Sequence, residues 1–517
     1  GTALSEAQAI SVEGTISADQ LKLLEIINSN NSYAAVEDTA TEIVGLNGGA
    51  DTMLDKVAGT VTVTTAATAA QAATLADLTH AVVFNVEAPV AGLVGDDAEI
   101  TSTQLAEAAD ITVTDAVNLT QAAAIEAFSN GGSNSYAISD TVADIAAANE
   151  AALTPAATVT ATGNANATQA TTLAGFTKAV TFSVEDGGSE ILVAGSVVMN
   201  EAVDITVTGN ISVDNATTID DWTNSGTNSY AISDDADQIA ASNDGVLGKA
   251  TAITAQTAAT VSEAATIAGF TTDVTFDVEG AAADLASASA TAMAEARHIT
   301  ATDNVTVALA QKMDTWVNSG NDVYAISDTA AILALGSSAA AVGNASGVEV
   351  SDAVTVAQLT AINTAATNTV TYGKIVDSSS NLLTDIATNG GVGTYVVGSH
   401  AVTVNDATNS SIAATDLSTI GAATAGTVTV TNAVAISGTQ SEVTAALVTS
   451  DSKVVAETSV VTLSDSSIAA ASVNAIDTHT SGLITVNATT ITGDHADITT
   501  AISSAGTAIS GSIAVTS

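Results

Sequence analysis

One short β-like segment after another closes on a carboxylate: Asp115, Asp140, Glu185, Asp234, Glu279, Asp303, Asp328 and Asp352. Two kinds of chemistry suit acids repeated in this way. A carboxylate at a strand end can accept hydrogen bonds from the first free amides of the next helix and meet its positive dipole end, a contribution of roughly 0.5–2 kcal/mol. The sharper alternative is calcium. If strands stack about 5 Å apart, acids along one edge could share a hard cation through oxygen ligands, with Asp115, Asp140, Asp234 and Asp328 as the metal candidates. Capping is the simpler expectation, because the Gly/Asp nonapeptide of calcium-binding β-rolls and the twelve-residue EF-hand loop are both absent.

Catalytic groupings are sparse. The histidines (His80, His298, His400, His479, His495) are isolated, with no His-Glu-x-x-His pair. Gly-Asp-His-Ala-Asp at 493–497 is the one local His/Asp cluster and reads as a surface turn ahead of a metal or acid/base site. No glycine loop with a following lysine is present to bind phosphate, and the lack of cysteine removes disulfides, thiolate nucleophiles and Cys-based metal sites. The expectation is therefore not an enzyme, with no cofactor apart from the calcium alternative.

Charge narrows the partners. Against 56 acidic residues stand 8 basic ones, a formal net charge of −48. The cations are scattered singly, so neither a phosphate-binding stripe nor a basic membrane-binding face can form, and nucleic acid is excluded as a partner. Thr or Asp interrupts every hydrophobic stretch, which predicts no membrane span. Yet 46% hydrophobic content at a mean hydropathy of +0.37 is too apolar for disorder. A start at Gly-Thr-Ala rather than Met predicts a processed or trimmed product.

The elements that must position these acids repeat. Tyr-Ala-Ile-Ser-Asp occurs at Tyr136, Tyr230 and Tyr324, and both intervals are 94 residues (230 − 136 and 324 − 230). Phe128, Trp222 and Trp316 keep the same beat, as do Leu105, Met199 and Met293. Strand-like segments are predicted at Ile111 to Thr114, Tyr136 to Ser139, Thr158 to Ala161, Val180 to Val184 and Ile205 to Thr208, and further on at Val402 to Val404, Val428 to Val430 and Ile484 to Val486. Alternation places Val180, Phe182 and Val184 inward. Ala-rich stretches such as 120–128 read as short helices with Ala124, Ile125 and Phe128 on one face. The Asn/Gly-rich breaks at 129–135 and 223–229 read as suppliers of left-handed backbone at helix ends.

The predicted fold class is α/β: a parallel strand-helix solenoid of about 24 residues per coil with a 94-residue super-repeat and a more β-rich C-terminal part. Its expected divisions are an irregular first cycle (1–110), two repeat cycles (111–204 and 205–298), a cycle losing phase (299–375), and a divergent β-rich continuation or separate module (376–517). All six Phe and both Trp are expected in the core, with a sugar-binding strip as the alternative for any exposed ring.

Tyr-Ala-Ile-Ser-Asp-Thr followed by an Ala/Ile helix, and Val-Thr-Val-Ala-Gln-Leu at 354–359, resemble the Ala/Thr/Val-rich repeats of large secreted surface proteins and adhesins of Gram-negative bacteria, including marine cyanobacteria. The resemblance covers about residues 1–375 and implies export without disulfides into cell-surface layers, filaments or adhesive stalks. The leading expectation is thus an extracellular structural subunit whose partner is itself. Second is an adhesin stalk using outward Thr and Ser rows (Thr112, Thr114, Thr181, Ser183) as a flat polar face to bind polysaccharide or a surface such as an ice-like lattice. A polysaccharide-active solenoid enzyme is a distant third, because eight scattered cations cannot build a cation-rich cleft.

Overall fold

A computed structural model describes residues 6–46, 50–388, 393–504, 506–509 and 514–516. Strands alternate with short helices, and neighbouring strands pair in parallel. Two compact units are formed, one from Gly1–Asp234 with Ser242–Thr254, the other from Asp235–Ala241 with Ala255–Ser517.

In the first unit the strands Ile10–Ile16, Asn31–Asp38, Val61–Val63 and Val82–Val83 make a four-stranded sheet in chain order. An eight-stranded sheet follows, also in chain order, running from Val86–Ala88 through Ile111–Val117, Asn134–Thr141, Thr158–Ala165, Val180–Gly187, Ile205–Ile211 and Asn228–Asp234 to Ala250–Ala255. Parallel neighbours require a crossover, and here the helix between each pair supplies it.

The second unit uses shorter strands. Val278–Gly280, Ile299–Ala301 and Asp322–Val323 form one sheet, and Ile326–Asp328, Val348–Val350 and Val370–Tyr372 another. Beyond residue 400 a step contributes two strands to different sheets. Ala401–Val404, Val428–Val430 and Val454–Val455 join one of them, whereas Ser411–Ala413, Ala435–Gly438, Val460–Leu463 and Ile484–Val486 join the other.

Every segment expected to be a strand is one. Val180, Phe182 and Val184 are buried, as period-two alternation requires. The helices explain the alanine content. In Leu119–Glu126, Ala167–Ala174, Val213–Asp220, Val261–Ile267 and Val307–Met313, the central inward position is Ala122, Ala170, Ala216, Ala264 or Ala310, each at most 2% exposed. A larger side chain there would push helix from sheet. Successive intervals are 48, 46, 48 and 46 residues, so the 94-residue period is a pair of near-equal halves. Ala122, not Ala124, partners Ile125 on the buried face.

The aromatic rings divide. Phe84, Phe182, Phe276 and Trp316 are buried, as are Tyr33, Tyr136, Tyr230 and Tyr324. Phe128, Phe176, Trp222 and Phe270 are only half-buried, which corrects the expectation that all Phe and Trp are core. They lie just beyond their helices, where the chain turns from helix to strand, and among the tryptophans of this slot only Trp316 is enclosed.

The glycines of the Asn/Gly breaks also act differently from expectation. Positive φ occurs elsewhere, for example at Gly163 and Gly209. At Gly132 a Cβ would overlap the Ala109 carbonyl oxygen and Asp110 Oδ1, and at Gly226 the Val203 carbonyl oxygen and Asp204 Oδ1. These glycines let one loop lie directly on the preceding one. Gly132→Ala should therefore cost about 1–3 kcal/mol, read as a lowered urea midpoint. Gly131→Ala, whose Cβ would find nothing nearer than the Ala108 oxygen at 3.9 Å, should change it little.

Candidate functional site

The strand-end aspartates hold helices. Asp140 Oδ2 accepts the N–H of Leu119 at 2.9 Å, and Leu119 is the first residue of Leu119–Glu126. Asp234 takes Val213 N at 2.9 Å, Asp328 takes Val307 N at 3.1 Å, and Asp115 takes Val90 N at 2.6 Å. Asp303 and Asp352 do the same for Ala282 and Ala330. The receiving helix lies about 21 residues before the acid in sequence, not after it as expected. Each carboxylate thus ties its strand to the start of the helix one step back.

A second, local cap completes these helix ends. Asn118 Oδ1 accepts Gln121 N at 2.9 Å while Gln121 Oε1 accepts Asn118 N at 3.0 Å. The same reciprocal box recurs at Thr68/Gln71, Asn166/Gln169, Thr260/Glu263 and Thr355/Gln358. Of the four amides a helix start leaves open, one is met from within and one by the following strand.

Asp38, Asp186, Asp377, Asp406 and Asp465, which are not among the strand-end acids expected from sequence, hold Ala18, Ala167, Val356, Ser379 and Gln440 in the same manner. The available signal was an aspartate 20–28 residues after an N-cap Ser, Thr or Asn. At the end of the strand Val180–Gly187 the expected acid, Glu185, gives way to its neighbour. Asp186 makes the tie, whereas Glu185 accepts a hydrogen bond from Asn164 Nδ2 at 2.5 Å. The four metal candidates Asp115, Asp140, Asp234 and Asp328 each serve a different helix. Among the described residues, no group of three or more His, Asp or Glu is placed to hold a metal ion.

A second polar line runs through the Asn/Gly loops. Asp110 Oδ1 accepts Ser133 N at 2.9 Å, and Asp204 Oδ1 accepts Thr227 N at 2.8 Å. Hydrogen bonds from the backbone and hydroxyl of Ser133 or Thr227 hold both carboxyls below their ordinary range. At the position 94 residues beyond Asp204, His298 Nδ1 accepts Asn321 N at 3.0 Å. Asn134 and Asn228 donate Nδ2 to the carbonyls of Ile125 and Ile219, each at 2.9 Å.

The third equivalent of these asparagines is an acid, Asp322. It accepts Asn318 Nδ2 at 2.9 Å. Burial pushes its carboxyl up to about 6; Asp314 adds to the rise, while Asn318 and His298 oppose it.

Tyr33 and Tyr324 meet carboxylates at their hydroxyls. Tyr33 donates to Glu25 Oε1 and Tyr324 to Asp314 Oδ1, both at 2.8 Å, while Tyr230 donates to the Val246 carbonyl at 3.0 Å. Burial first, then the nearby acid, pushes Tyr33 up to about 12, and burial with Asp220 does the same for Tyr230.

The histidines stay apart. His80 Nε2 lies 3.3 Å from the Gly59 carbonyl, and His400 stacks on Tyr372 with ring centroids 4.1 Å apart. His495 opens the helix His495–Ser503, where Asp494 caps Asp497 N at 2.8 Å, so the 493–497 cluster is a helix start. Glu457, Asp477 and His479 line a shallow cleft of about 490 Å³; Asp477 there accepts the Ser504 hydroxyl at 2.8 Å. A second cleft, of about 380 Å³, is lined by Asp220, Trp222, Asn224, Thr227, Asn228 and Lys249. Lys249 Nζ is ion-paired with Asp220.

No protein-family model matches the chain, and no curated protein matches it significantly in sequence.

Two tests follow. Asp140→Ala should lower stability by about 1 kcal/mol in urea unfolding, and Asp140→Asn, which keeps an acceptor oxygen, should recover most of it. For Asp322 the folded-state value lies above the ordinary 3.8, so the protonated form favours the fold. That contribution is complete below about pH 4 and is lost as pH rises through about 6. Asp322→Asn restores the amide of the other repeats and should flatten the urea midpoint across this window.

Proposed function

We propose that the chain is an extracellular structural protein, the subunit of a cell-surface layer or filament that assembles by self-association. In this reading the strand-helix steps wind as a parallel solenoid of about 24 residues per coil. The observation that carries it is where the acids go: one aspartate after another is committed to the helix of the preceding step. Side chains invested in this way make a scaffold whose parts are joined along its length. The absence of cysteine suits assembly outside the cell without disulfides. The Tyr-Ala-Ile-Ser-Asp repeats and their resemblance to bacterial surface proteins point the same way.

An adhesive role is the second reading, favoured by the cleft beside the half-buried ring of Trp222 and by the outward hydroxyls of Thr112, Thr114 and Thr181, which are exposed.

Sedimentation velocity across a protein dilution series, with and without calcium, tests the first reading. Assembly into higher-order species that negative-stain images show as sheets or filaments is the expected result. A monomer at every concentration in both conditions would sink it.

A further inference from the structure

We infer that the cleft at Trp222 is a saccharide-binding subsite that takes a neutral hexose unit of a polysaccharide. The inference rests on the adhesive reading and goes beyond the scaffold. Its volume of about 380 Å³ falls within the range of about 300–1,000 Å³ usual for ligand clefts. One wall is an indole that is only half-buried although the other tryptophan, Trp316, is 6% exposed. Its backbone is fixed by the hydrogen bond from Trp222 N to the Ile219 carbonyl at 3.2 Å. A rigid, flat aromatic face is what the C–H face of a pyranose packs against.

The polar wall asks for donors. Asn228 spends its Nδ2 on the Ile219 carbonyl, while its Oδ1 is buried and accepts no hydrogen bond from the protein. Asn224 likewise spends Nδ2 on the Val203 carbonyl at 2.9 Å. The acceptor oxygens that line this wall suit ligand hydroxyls, which donate. Asp220 adds carboxylate oxygens to the same cleft, and Lys249 is held in an ion pair with it. Uronate and phosphate ligands fit poorly, because the chain carries −48 overall and the one cation in this cleft is already paired.

The two asparagines recur 94 residues earlier, within the same compact unit, with Phe128 in the place of Trp222. Phe128 is half-buried, Asn134 Oδ1 is again buried and unpartnered, and Asn130 Nδ2 is spent on the Ala109 carbonyl at 3.0 Å. Four strand spacings separate the two positions in the sheet, about 19 Å. A polymer long enough to reach both would gain from the second contact without raising the intrinsic affinity of either.

The chain has two tryptophans, so Trp316→Phe leaves Trp222 as the only indole reporter. Titrating this variant with malto-, cello- and manno-hexaose should give, for at least one of them, a saturable change in Trp222 emission. A uronate hexamer should give none. In calorimetry, Trp222→Ala should weaken that sugar at least tenfold and Trp222→Phe much less, with far-ultraviolet circular dichroism unchanged. Phe128→Ala should weaken the long polymer while leaving the corresponding disaccharide, too short to reach both positions, unaffected.

The inference is overturned if no neutral hexaose alters the emission up to about 10 mM, a limit weaker than millimolar affinity. It is equally overturned if Trp222→Ala binds undiminished, or if the emission shifts with protein concentration alone, which would mean a second copy fills the cleft. Assembly read by sedimentation is independent of these outcomes, so failure here leaves the scaffold reading standing.

Discussion

An aspartate at the end of one strand, bonded to the first amide of the helix one step earlier, is the contact on which the architecture depends. The helices are mostly four to ten residues long, too short to be stable alone. Their open N-terminal amides and positive dipole ends would be costly beside a buried sheet. The carboxylate removes that cost and at the same time fixes how far each strand lies from its predecessor. Local and long-range order are thereby joined through a single side chain at Asp140, Asp234, Asp328 and their equivalents.

This arrangement makes sense of a charge that would otherwise be a liability. At physiological salt the screening length is about 8 Å, longer than the spacing between neighbouring strands, so acids in successive steps feel one another. Placing many of them at helix N-termini opposes that repulsion with a partial positive charge in each step. The few cations are used close at hand: Lys56 with Glu25, Lys249 with Asp220, and Arg297 with both oxygens of Asp277. Asp277 is accordingly held below its ordinary range, chiefly by the Arg297 guanidinium.

Departures from the repeat are where particular properties arise. His298 stands where Asp110 and Asp204 stand in earlier cycles, and it keeps the hydrogen bond by offering Nδ1 to Asn321. Asp322 replaces an asparagine and becomes the most perturbed carboxyl described, because burial opposes its charge. Gly280 occupies the slot 94 residues beyond Asp186, so the tie made at Asp186 has no side-chain equivalent there.

The sequence by itself determined the α/β alternation, the positions of the strands and the inward face of segments such as Val180–Val184, because period-two patterning and a 94-residue echo are local signals that burial must obey. It also marked most of the strand-end acids. Only the tertiary structure decided which helix each acid serves, because the partner lies about 21 residues upstream and becomes adjacent only when parallel strands pair. It likewise decided that Gly132 and Gly226 are required by the close approach of a neighbouring loop, and that Trp222 is left half-buried beside an open cleft while Trp316 is enclosed. Chemically identical slots in a repeat differ in exposure according to what packs around them, and that packing is set by neighbours distant in the chain.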